Sequence, residues 1–234
     1  MSETLDILYR IDTASGSRAE FPIRLDPATL MLADRASDDS PAWTRLECDQ
    51  CGHCPLNAAE TPHCPAATAL VSLLAFCRDL PSFETVALEV VTPERVVSKD
   101  TTAQRAISAL MGLLLAASGC PHLAFLRPMA RFHLPLASAE ETSYRAASMY
   151  LLAQYFRRRR GLPVDDDSLA GLSHRYDQAH RVNVAFAKRL RSAIEKDSSL
   201  NAVVLLDLFA QAMPVSIDDQ LAELEPLFAT YLED

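Results

Sequence analysis

Apolar and polar residues alternate along LDILYRID (5–12) and again along RAEFPIRLD (18–26), on either side of TASGS. Alternation with a period of two, broken by a Gly-containing turn, predicts a β-hairpin with one face buried. The Val-rich stretches ETVALEVVT (84–92) and RVVSK (95–99), joined through Pro93-Glu94, predict a second hairpin of the same sheet. Between them AWTRLEC (42–48) alternates less regularly and is expected to add one further strand.

From residue 101 onward the period changes to that of helices. Thr101 with Gln104, and Ser138 with Glu141, have capping-box spacing and open apolar runs of helical periodicity. Helices are predicted near 102–118, 138–159, 167–195, 199–212 and 217–231, with an earlier one from Ala66 to Leu80 that Pro65 opens and Pro81 stops. Arg157 to Arg160 close the second of these, where cations complement the dipole. The expected fold class is α+β: an N-terminal antiparallel sheet of two hairpins plus a strand, carrying a cysteine knuckle, then a C-terminal helical bundle. The boundary falls at 1–100 against 101–234, with both parts packed as one unit, and GLPVDDD (161–167) is the one soft joint in the helical half.

Composition narrows the classes. The chain of 234 residues is 49% hydrophobic, enough for a sizeable core. Its longest apolar run, Ala106 to Gly119, falls short of the roughly 20 residues that cross a bilayer, so no membrane partner is expected. A net charge of -9 disfavours nucleic acid, which demands surplus Lys and Arg facing phosphate. The first residues lack the basic and apolar regions of a secretory signal, which points to the cytoplasm. In that reducing compartment six cysteines read as metal ligands rather than as a disulfide framework.

The cysteines are grouped. From Cys48 the chain reads CDQCGHCPLNAAETPHCP, a C-x2-C-x2-C-x9-C pattern. Two intervening residues let a tight turn aim two sulfurs at one ion, which Zn2+ accepts at about 2.3 Å in a tetrahedron. Cys51, Cys54 and Cys64, on loops or a helix start, with the distant Cys120 closing the shell, form the preferred ligand set; Cys48, His63 and His122 are reserves. Cys77 lies mid-helix and is set aside as core. Zinc is the expected ion. An iron-sulfur cluster is the alternative, because three Cys-Pro dipeptides occur and such clusters favour Pro after a ligand.

Other polar groups are candidates against plainer alternatives. Arg127, Arg131 and His133 lie in a Pro-rich segment and could form an anion pocket, the arginines forking onto a carboxylate or phosphate and the imidazole moving a proton. Ion pairing with a chain of 31 acidic residues is the simpler reading. His174, Asp177 and His180 could share a helix face and approach a second metal. Nucleotide and serine hydrolases are disfavoured, since no phosphate loop, no G-x-S-x-G and no H-E-x-x-H occurs.

The blocks CGHCPL, HCP, SGCPHLAFLRPMARFHLP and SMYLLAQYFR resemble an uncharacterised group of bacterial proteins of unknown function. The resemblance implies a bacterial cytoplasmic protein and favours Cys51, Cys54, Cys64 and Cys120 over Cys48; it implies no activity. Gly52 departs from it, standing where the group carries Pro after the first cysteine of the pair. The leading expectation is therefore a cysteine-ligated structural zinc supporting an interaction or regulatory surface. An iron-sulfur redox or sensor protein comes second, and an enzyme using Arg127, Arg131 and His133 third. The partner would be another protein or a small anionic ligand, and a homodimer is compatible with the apolar helix faces.

Overall fold

A computed structural model describes residues 4–34, 40–77, 80–164, 169–193 and 217–232; side chains of 191–193 and 217–220 are not described. Strands β1 (Leu5–Thr13), β2 (Arg18–Leu25), β3 (Thr85–Val91) and β4 (Val96–Thr102) form one antiparallel sheet in the order β2-β1-β3-β4. Both predicted hairpins form, and β1 joins them by pairing with β3 in a register that sets Ile11 opposite Leu88. Ile7, Tyr9, Ile11, Phe21, Ile23, Val86, Leu88 and Val90 are buried on one face. The opposite face carries Arg10 between Glu20 (3.0 Å) and Glu89 (2.6 Å), an arrangement that the period of two imposes.

Helix α3 (Ala103–Ala117) lies against that apolar face. Thr102 accepts a hydrogen bond from the Arg105 amide and so caps the helix one residue later than the Thr101 to Gln104 spacing suggests. Ten of its residues, among them Ile107, Leu110 and Leu113, are buried, which makes it the centre of the core rather than an amphipathic cover. The predicted helix from Ala66 to Leu80 is instead two short ones, α1 (Pro65–Ala69) and α2 (Val71–Cys77), broken at Leu70. Burying Leu70 and Leu73 fully while α1 packs on α3 takes precedence over helical continuity.

After α3 come a 3-10 turn (Ala124–Leu126) and α4 (Arg127–Arg131), the irregularity that the prolines announce. Helix α5 (Ala139–Arg159) starts with the predicted capping box, Ser138 accepting from the Glu141 amide while Glu141 accepts from Ser138. It ends near Gly161, whose φ of 65° suits the left-handed turn after a helix. Helix α6 (Ala170–Ala193) packs on α5, where Gly171 faces the Tyr150 hydroxyl so closely that a Cβ would force the ring aside. Helix α7 (Ile217–Leu224), a 3-10 turn (Glu225–Phe228) and α8 (Ala229–Leu232) follow, with α7 against α5. The helix expected at 199–212 lies outside the described residues.

The anticipated extra strand at 42–48 is absent. Ala42–Thr44 form a 3-10 turn, and Arg45 makes only an isolated bridge to His63. Pro41 and the cysteine segment bend the chain here, so the alternation has no neighbouring edge to pair with. Among the described residues no helix is long and apolar enough to cross a membrane.

Candidate functional site

Three separate parts of the chain deliver the cysteines. The segment 45–64 crosses between β2 and α1. It carries Asp49 at a φ of 44°, a left-handed position that Asp tolerates better than most residues. The Cys54 amide donates to the Cys51 carbonyl (2.9 Å), the tight turn that the x2 spacing requires. Cys64 is the N-cap residue of α1, fixed by its amide donating to Thr44 O (2.7 Å). Cys120 follows α3 at a turn where Gly119, with a φ of 90°, passes against Pro65. Only a glycine takes that conformation readily, so Gly119 is what brings Cys120 back beside Cys64.

The thiols sense one another. Burial pushes the Cys51 thiol up to about 11, the neighbouring Cys64 and Cys54 thiols add to the rise, and the Arg189 guanidinium opposes it. Burial also raises Cys120 to about 11, with Cys64 and Cys51 contributing in the same direction. Cys51 is thus within electrostatic reach of Cys54 and Cys64, and Cys120 of Cys51 and Cys64, and all six cysteines of the chain are free of disulfides. Among the described residues no three His, Cys, Asp or Glu side chains stand in a metal-holding arrangement as they are. Cys77 is buried in the core, where desolvation raises it to about 12.

The reserve ligands have other partners. His63 Nδ1 shares a hydrogen bond with the buried Thr44 hydroxyl (2.7 Å). His122 Nε2 bonds the His53 carbonyl (2.8 Å), and the two imidazoles lie with centroids 4.1 Å apart. Burial lowers the His53 pKa, and the neighbouring His122 adds to that. Cys48 donates its amide to Arg45 O (3.1 Å).

A residue that sequence reasoning missed stands beside the cluster. Arg189, on α6 and 2% exposed, donates Nη1 to Trp43 O (3.0 Å) and Arg45 O (2.5 Å) and Nη2 to Leu46 O (3.0 Å). No carboxylate is bonded to it among the described residues, and its positive charge acts on the Cys51 thiol. A buried charge without a counter-charge is expensive, which makes this a place that favours an anion. Arg189 lies in an ordinary helical run, RVNVAFAKRL, that carries no signal of burial.

Arg131 and His133 line one cavity of about 240 Å3 together with Asp6, Glu94 and Arg95, and Arg127 does not line it. Arg131 reaches Glu94 (3.6 Å) and lies over the Phe132 ring, while Arg127 Nε is buried without a hydrogen-bond partner. His133 bonds the buried Tyr9 hydroxyl, and burial lowers its pKa to about 4, with Arg145 adding to the effect. A cavity of about 330 Å3 on the far side of α3 is lined by His133 but by neither arginine; Arg145 and Tyr176 line it instead. Among the described residues His174, Asp177 and His180 form no group able to hold a metal ion.

With the geometry in view, comparison with known proteins places the chain. A domain of unknown function, DUF6901, matches residues 7–229. The chain belongs to this family. The DUF6901 match spans the sheet, the cysteine segment, the cavity and α6 together, in keeping with the resemblance to an uncharacterised group. No curated protein and no solved structure matches.

Proposed function

We propose that this DUF6901 protein binds one thiophilic metal ion through Cys51, Cys54, Cys64 and Cys120, and that the ion is a structural Zn2+. The observation that supports the reading is that Cys54 and Cys64 act on the Cys51 thiol, and Cys51 and Cys64 on the Cys120 thiol, beside a buried arginine with no carboxylate partner among the described residues. An ion would draw these thiols into a tetrahedral shell, and four thiolates around Zn2+ leave a net negative charge that Arg189 balances. Such a site ties the 45–64 segment to the end of α3 and holds a surface for a protein partner. The setting is cytoplasmic, as thiols in a reducing compartment require.

An iron-sulfur cluster is the second reading, favoured by Pro55, Pro65 and Pro121 directly after three of the four cysteines. Metal content by mass spectrometry with a visible spectrum, on protein purified anaerobically without an affinity-column metal, tests both. The expected result is about one colourless zinc per chain, lost in Cys64→Ser and Cys120→Ser and kept in Cys48→Ser. Iron with acid-labile sulfide would replace zinc by the cluster, and neither metal would sink the proposal.

A further inference from the structure

The cavity on the far side of α3 is separate from the cysteine cluster and has a different chemistry. At about 330 Å3 it is at the lower end of the roughly 300–1,000 Å3 typical of ligand sites. Its wall is apolar, with Leu113 from α3, Leu123 from the turn after it and Met129 from α4. Gly112 also lines it.

At one end the polar groups gather. Tyr176 is 5% exposed, lines the cavity, and its buried hydroxyl has no hydrogen-bond partner among the described residues. Burial pushes this phenol up to about 12, while the Arg145 guanidinium pulls the other way, so it is a protonated donor close to a cation. Arg145 donates Nη2 to Phe132 O (2.6 Å) and Met129 O (3.2 Å), and its remaining N–H groups have no protein acceptor among the described residues. Arg105, His133 and His180 also line the space, and among the described residues no Asp or Glu does. Arg105 and Arg145 without a carboxylate among those residues make a lining that favours negative charge.

We propose that this cavity binds a small amphipathic carboxylate, its alkyl tail against Leu113, Leu123 and Met129 and its carboxylate accepting from Tyr176 Oη and Arg145. Both donors then gain the acceptor they lack, and the tail removes apolar wall from water. The site is independent of the metal reading.

Isothermal titration calorimetry on the full chain with decanoate, decanol and decylammonium, each below its micelle-forming concentration, tests this. Decanoate is expected to bind at least about tenfold more tightly than either of the others, the scale of one charge-assisted hydrogen bond. Tyr176→Phe is expected to weaken decanoate about tenfold while leaving the thermal midpoint unchanged or higher, because the hydroxyl it removes is unsatisfied in the free protein. A purely structural tyrosine would lower the midpoint and spare the affinity ratio. Decanoate that does not bind, or that binds no better than decanol or decylammonium, overturns the proposal. Unaltered decanoate affinity in Tyr176→Phe does so as well.

Discussion

Two arginines, Arg189 fully buried and Arg145 half-buried, are used in opposite ways. Arg189 spends both terminal nitrogens on the carbonyls of Trp43, Arg45 and Leu46, and so pins α6 to the turn that leads into the cysteines. Arg145 spends one nitrogen on Met129 and Phe132 and lines a cavity with the rest of its fork. The first is architecture that also places a positive charge near thiols. The second is a recognition group, because donors left over in a partly dry site gain most from a ligand.

The sharpest way to break this comparison is Arg189→Met. The buried Leu46 carbonyl and the part-buried Trp43 and Arg45 carbonyls would lose their donor, and the loss should reach about 2–3 kcal/mol, seen as a lower urea midpoint and weaker metal retention. An effect below about 1 kcal/mol would show that Arg189 is no anchor. On the other side, His133 supplies a pH-dependent contrast. Its pKa is lowered to about 4 by burial first and Arg145 second, with the Tyr9 hydroxyl as its bonded neighbour. An unfolded chain holds that imidazole near about 6.5. Above that value both states are neutral and the full stability is present. As pH falls towards 4 the unfolded chain takes up a proton that the fold refuses, so stability drops by up to about 3 kcal/mol and then levels for this group. Urea unfolding at several pH values between these limits should show the slope in the native protein and lose it in His133→Gln. The smallest effect is expected far from either arginine. Ser138→Ala removes one half of the α5 capping box and should cost about 1 kcal/mol, read as a small fall in the thermal midpoint with metal content and decanoate affinity unaltered.

Much of the fold was legible. The hairpins follow from alternation around TASGS and Pro93-Glu94, and α5 from the Ser138 to Glu141 box, because these signals are local. The strand expected at 42–48 failed because the chain there turns as a 3-10 helix and Arg45 bridges His63 rather than a strand of the sheet, a partnership that alternation does not reveal. The spacing grouped Cys51, Cys54 and Cys64 along the chain, whereas the approach of Cys120 depends on the turn at Gly119 that passes Pro65. The Arg127, Arg131 and His133 segment shows the converse, since neighbours in sequence can face different elements, here Glu94 and Tyr9.

By itself the sequence determined the α+β class, the strand and helix periods, the caps and the grouping of thiols, all of which depend on residues within a few positions of one another. Tertiary structure alone decided that Arg189 is buried beside Cys51, and that Tyr176 and Arg145 face one apolar cavity. Burial and partnership between helices depend on which faces meet across α3, and that is settled by packing the whole core rather than by any local pattern.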